Sequence, residues 1–179
     1  LTLKTNNMKK ISYLLIVLLS LIACEGDRGP QGPQGIDGGV ILGNVYEINR
    51  DLLPQNNYST GFEFPLDIEV FESDVVLVYL LEEVINDEGG PASVWTPLPQ
   101  SFFFDDGNQV VYTYNHTYFD VNIFLDGNVN LDTVPDEFIF NKTFRIAIIP
   151  ANFAENNPNL NSYESVMQTM PDAKIIKID

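Results

Sequence analysis

Beyond residue 40, apolar and polar positions follow the short, turn-bounded pattern of β-strands, with one clear lapse into helical spacing near the end. Residues 40–48 open with mixed apolar content and read as a first strand. Residues 58–64 and 66–71 read as two more, bent about Pro65, which cannot donate to a ladder. Residues 75–81, VVLVYLL, form an unbroken apolar run between Asp74 and the pair Glu82-Glu83. So short a run of β-branched and aromatic residues predicts a buried central strand. Asn86-Asp87-Glu88-Gly89-Gly90 has the composition of a turn.

Residues 94–104 predict a strand interrupted by Pro97 and Pro99, its first half on an edge. Asp105-Asp106-Gly107-Asn108 predicts a hairpin turn. Val110, Tyr112 and Tyr114 then alternate on even positions, whereas Phe119, Val121, Ile123 and Leu125 alternate on odd ones. A phase change flips the buried face, so a tight turn or bulge is required near Asn115-His116-Thr117. Residues 126–137 read as polar loop, and residues 138–149 as a strand closed by Pro150. One helix is expected: Asn161 as cap with Glu164 completing a capping box, Tyr163, Val166, Met167 and Met170 on one face, and Pro171 as the stop. Residues 173–178 return as a short strand. The fold class is therefore all-β: an antiparallel β-sandwich over residues 40–179 with one short C-terminal helix.

The N-terminal stretch has a different character. Lys9 and Lys10 follow Met8, and residues 11–23 are uncharged and mostly apolar. Thirteen residues fall short of the about 20 that a spanning helix needs and match a secretory leader. Leu21-Ile22-Ala23-Cys24 resembles the lipobox of bacterial lipoproteins. That resemblance implies a signal peptide over residues 8–23, cleavage before Cys24, and lipid on its thiol. Several acyl chains, each adding about 0.8 kcal/mol per buried methylene, hold a protein at a membrane where one would not. The other reading is an ordinary signal peptide with a cysteine near its end.

Glycine recurs at every third position from Gly26 to Gly38, in Gly26-Asp27-Arg28, Gly29-Pro30-Gln31, Gly32-Pro33-Gln34 and Gly35-Ile36-Asp37. Collagen needs this period because only glycine fits at the axis of three polyproline-II chains. Four triplets are few for a triple helix, and residues 24–39 read either as an extended spacer of about 35–40 Å or as a stalk that a homotrimer completes. CEGDRGPQGPQG, SDVVLVYLLEE, WTPLPQSFFF, VNIFLDGNVNL and TFRIAIIPANF are similar to segments of small collagen-triplet lipoproteins of the Bacteroidota. The resemblance implies a cell-envelope location and carries over no catalytic residue.

Charge narrows the function classes. Three of the nine basic residues, Lys4, Lys9 and Lys10, precede Cys24, while all 25 acids follow it, leaving a net −19 beyond that point. Such an excess repels nucleic-acid phosphates and anionic headgroups. Cys24 is the one cysteine, which excludes a disulfide framework and a thiolate cluster. His116 is the one histidine and falls in a turn, so no Ser-His-acid or Cys-His pairing suggests itself.

Three constellations remain as candidate sites. Asp126, Asn128, Asn130, Asp132 and Glu137 place oxygen ligands at positions 1, 3, 5, 7 and 12 of a calcium-like loop, although Leu131 stands where the sharp turn wants glycine. The same stretch also reads as a polar hairpin loop, and the flanking residues read as strands rather than helices. Asp132-Thr133-Val134 resembles the short O-glycosylation motif of Bacteroidota secreted proteins, implying a glycan on Thr133. Trp95, Tyr112 and Tyr114, with Tyr118, offer rings for stacking on sugars or for cross-strand pairing.

The expectation is an outer-membrane lipoprotein presenting a non-catalytic β-sandwich for binding a glycan or protein ligand, or for a structural surface role, facing either the surface or the periplasm. It needs no cofactor unless calcium fills the loop. The alternatives are a carboxylate-dependent glycan-active enzyme and a trimeric stalk-and-head adhesin.

Overall fold

The computed structural model describes residues 43–156, 160–171 and 173–178. Cys24, the leader and the glycine triplets lie outside the described residues. Among the described residues, nine strands form two sheets. They are β1 (Asn44–Arg50), β2 (Ser59–Glu63), β3 (Val75–Asp87), β4 (Gly90–Pro97), β5 (Gln100–Phe103), β6 (Gln109–His116), β7 (Asp120–Gly127), β8 (Lys142–Ile149) and β9 (Ile175–Ile178). One sheet has the order β4-β3-β8-β1-β9 and the other β2-β7-β6-β5. Two short helices, α1 (Ala151–Asn156) and α2 (Tyr163–Thr169), join β8 to β9. Among the described residues, no helix is long and apolar enough to cross a membrane. The all-β sandwich is as expected, with α1 an addition to the single helix foreseen.

Alternation explains the core between the sheets. Val76, Val78 and Leu80 of β3, Phe144, Ile146 and Ile148 of β8, and Tyr46 and Ile48 of β1 meet Val110 and Tyr112 of β6 and Val121, Ile123 and Leu125 of β7. The odd-numbered residues of β1, β3 and β8 point to the outer face of their sheet. There Val45, Tyr79, Ala147 and Ile149 pack with Trp95, and with Tyr163, Val166 and Met170 of the α2 segment. Covering both faces of β3 and β8 is why those strands read as continuous apolar runs rather than as alternating ones.

The prolines of residues 94–104 do more than mark an edge. β4 and β5 are edge strands of different sheets, and the chain crosses between them at Pro97-Leu98-Pro99, where the Leu98–Pro99 peptide is cis. The two predicted turns form as read. Glu88-Gly89 link β3 to β4, with Gly90 at φ 106°, and Gly107 takes φ 84° between β5 and β6. The phase change resolves as a tight turn. His116 pairs with Val121, and Thr117 N–H donates to the Asp120 carbonyl at 2.9 Å.

Three expectations need correction. Residues 66–71 form no strand: after Pro65 the chain makes a turn closed by Ile68 N–H on the Pro65 carbonyl, because this segment must carry the chain from one sheet to the other. The α2 cap is Ser162 rather than Asn161. Ser162 and Ser165 exchange side-chain and backbone hydrogen bonds, which displaces the frame by one residue. Finally, β9 is parallel to β1, whereas the other pairings are antiparallel. The helical connection packs over the sheet and delivers β9 to the far side of β1 instead of beside β8, so the direction of pairing follows from that crossover.

Candidate functional site at one end of the sandwich

The connection from β2 to β3 and the tip between β6 and β7 lie together at one end of the sandwich. Phe64 N–H donates to the Phe119 carbonyl at 2.8 Å, which ties the two. The tip is tied by hydrogen bonds: the Thr117 hydroxyl donates to Asp120 Oδ1, and its oxygen accepts Phe119 N–H at 3.0 Å. At the base of the connection, Asp74 accepts Phe71 N–H through Oδ2 and Ala151 N–H through Oδ1, at 3.0 and 3.1 Å. Ile68 and Val70 pack inward on the core. Leu66, Phe71, Tyr118 and Phe119 point out, Leu66 fully exposed and Phe119 at 65%.

Two adjoining hollows form around these side chains. One, of about 390 Å³, lies between the Phe64-Pro65-Leu66 segment and Phe119, with Glu63, Glu69 and Asp120 along it. The other, of about 450 Å³, lies between Phe71 and the His116-Thr117-Tyr118 tip, with Glu72 beside it. Val70 and Tyr118 line both, so Tyr118 stands on the boundary. The Tyr118 and Phe119 ring centroids are 3.9 Å apart with a 44° tilt. Among the described residues, no lysine or arginine lines either hollow. Clustered apolar exposure of this kind is a mark of interaction surfaces, whereas scattered exposed apolar residues are ordinary.

The residues singled out in the sequence are placed elsewhere, with one exception. Oxygens of the calcium-like loop accept hydrogen bonds from within the protein. Asp126 Oδ1 accepts Gly127 N–H, Asn128 Oδ1 accepts Gln109 N–H, Asn130 Oδ1 accepts Asp132 N–H, and Asp132 Oδ1 accepts the Tyr58 hydroxyl. The loop folds as two single 3₁₀ turns, Leu131–Thr133 and Asp136–Phe138. Glu137 is exposed there, and its carbonyl accepts from Lys142 Nζ. Among the described residues no three His, Cys, Asp or Glu side chains are grouped as a metal site. The Tyr58–Asp132 bond, helped by burial, pushes the Tyr58 phenol up to about 12. Thr133 is exposed, its hydroxyl donating to the Asn130 carbonyl.

Tyr112 and Tyr114 share the inner face of β6, whereas Trp95 lies on the outer face of the other sheet. Tyr112 is wholly buried between the sheets, edge-on to Phe102 and Phe144, and donates its hydroxyl to the Phe138 carbonyl. Tyr114 is half-buried and donates to the Val76 carbonyl; burial holds its phenol above the ordinary value. Trp95 is buried on the opposite, outer face against Arg145 and Tyr163. Packing between the two sheets takes up Tyr112 and Tyr114, and a ring as enclosed as Tyr112 presents no face to a ligand; Trp95 lines a separate hollow of about 520 Å³ with Arg145 and Tyr163 on the outer face. Tyr118 is the exception and stays exposed.

Leu66, Phe71 and Phe119 escape sequence reasoning because their types and spacing match those of core residues. The only signal for them is indirect: Pro65 before one segment, and the crowding of Glu63, Asp67, Glu69 and Glu72 around it. No family model matches the chain, and no curated protein or solved structure does so either.

Proposed function

We propose that this chain is a lipid-anchored cell-envelope protein whose β-sandwich is a non-catalytic binding head, with its binding surface at the Tyr118 end. The carrying observation is the exposure of Leu66, Phe71, Tyr118 and Phe119 around two adjoining hollows on hydrogen-bonded loops. Loops at the end of a sandwich can carry recognition residues while the sheets hold the fold. Leader, lipobox cysteine and glycine triplets support the anchoring part of the reading.

Two measurements test it. Cys24→Ala should move the protein from the membrane fraction to the soluble one; retention in membranes would refute the anchor. Isotope-labelled protein titrated with a panel of peptides and oligosaccharides should show resonance shifts confined to residues 63–72 and 116–120. Shifts centred elsewhere, or turnover of a panel member, would refute the binding surface or its non-catalytic character.

A further inference from the structure

We propose that the paired hollows take a cationic, amphipathic polypeptide segment of another protein, its apolar side chains seated on either side of Tyr118 and its lysines or arginines on the acidic rim. The proposal rests on the binding-surface reading above and adds the chemistry of the partner.

Charge is the first ground. Glu63, Glu69 and Glu72 are exposed along the hollows, and among the described residues no hydrogen bond or ion pair uses their carboxylates. Asp120 adds a fourth acid, whose Oδ1 is already held by Thr117. The described cations do not compensate them. Arg145 and Lys177 are both bound to Glu47 on the outer face, and neither hollow is lined by Arg50, Lys142 or Lys174. A surface so unbalanced favours a partner of opposite sign and speeds its approach.

Shape supplies the second ground. Sugar recognition by stacking uses flat aromatic faces, but Tyr118 and Phe119 are tilted against each other and flanked by the aliphatic Leu66 and by Phe71. Such a surface fits side chains better than pyranose rings. Two hollows divided by one ring suit two same-face side chains of an extended segment, which stand about 7 Å apart. Intervening basic residues project from the other face of the segment, and their long stems fold back along it to reach the rim. Rim pairs of this kind contribute little singly and apolar anchors contribute more, so both halves of the pattern are needed.

The test uses the full lipidated chain in neutral phosphatidylcholine nanodiscs and three probes. These are a fluorescein-labelled nonapeptide alternating Lys with Leu and Phe, the same peptide with Glu in place of Lys, and cellohexaose. The Lys peptide should bind and the Glu peptide should not. Leu66→Ser with Phe119→Ser should abolish binding. Glu63→Gln, Glu69→Gln and Glu72→Gln together should weaken it about tenfold. Removing as many charges elsewhere, with Glu83→Gln, Glu137→Gln and Glu155→Gln, should change it less than about twofold by the same reckoning. Equal loss in the two triple variants, or no binding of the Lys peptide, overturns the inference. Binding of cellohexaose alone, abolished by the Leu66 and Phe119 changes, overturns the inference while leaving the binding surface intact. Lys-peptide binding indifferent to those two changes overturns both.

Discussion

The guanidinium carbon of Arg145 lies 3.9 Å from the centroid of the Trp95 ring. The same group donates from Nε and Nη2 to Glu47 Oε2, at 2.9 and 2.8 Å, and from Nη1 to the Tyr163 hydroxyl at 2.6 Å. One side chain of β8 thus joins β1, β4 and α2 on the outer face of the five-stranded sheet. Glu47 is directly opposite Arg145 in the register and Lys177 directly opposite Glu47, so the row continues to β9, with Lys177 Nζ 2.8 Å from Glu47 Oε1.

Removing Arg145 should therefore loosen this whole face. The Arg145 and Glu47 side chains are only 14% and 12% exposed, so Arg145→Ala leaves a largely buried carboxylate short of its main partner and strips packing from Trp95. Urea unfolding should show a loss of about 3 kcal/mol. Arg145→Lys keeps the charge but loses the fork and the ring contacts, and should recover less than half of it. In a double-mutant cycle with Glu47→Gln the two changes should be markedly non-additive.

Glu47 also sets an acid dependence. Burial alone would raise its pKa, but the hydrogen bonds from Lys177 and Arg145 outweigh that and hold the carboxyl below its ordinary 4.5. A lowered folded-state value means the contribution is present above about pH 4.5 and is lost as pH falls through the folded-state value. The stability difference between wild type and Glu47→Gln, followed by urea midpoints from pH 7 to pH 3, should shrink across that window.

Tyr58 works in the alkaline direction. Its bond to Asp132, then burial, raises the phenol from 10.0 to about 12. A raised folded-state value gives stability that is complete below pH 10 and is lost between pH 10 and about 12. Tyr58→Phe should lower the urea midpoint at pH 8 and make its decline above pH 10 shallower. Asp132→Asn should do the same more mildly, and spectrophotometric titration should show one phenol returning toward its ordinary range.

The helix cap separates two neighbouring residues. Ser162→Ala removes the acceptor for Ser165 N–H and should cost about 1 kcal/mol. Asn161→Ala, exposed and outside the cap, should stay within about 0.5 kcal/mol by thermal unfolding.

Two glycines should respond in opposite ways to alanine. A Cβ at Gly127 would sit 2.4 Å from the Gln109 carbonyl oxygen, so Gly127→Ala must push β6 and β7 apart and should cost roughly 1–3 kcal/mol. A Cβ at Gly61 would meet nothing within 4 Å, and Gly61→Ala in β2 should be neutral or stabilising by about 0.5 kcal/mol. Thermal midpoints would check both.

Local chemistry made much of the fold legible. Asp106-Gly107 announces its hairpin because few other residues adopt the required backbone, and the odd–even switch between Tyr114 and Val121 demands a turn wherever one face is buried. The site was far less legible. Periodicity treats Phe119 as it treats Val121, yet Val121 is enclosed and Phe119 projects from the tip. Ring type singled out Tyr112, Tyr114 and Tyr118 alike, and burial then separated them.

Within the described domain, residue order alone dictated most of the strands, where most of the hairpin turns fall, and which face of β6 and β7 is apolar, because these depend on neighbours a few positions apart. Tertiary structure decided the rest. It set β9 parallel beside β1, seated Arg145 between Trp95 and Tyr163, turned the segment after Pro65 into a crossover, and gathered Leu66, Phe71, Tyr118 and Phe119 at one end. Each of those outcomes joins residues tens of positions apart. Their exposure depends on what the remainder of the chain covers, and no local pattern encodes that.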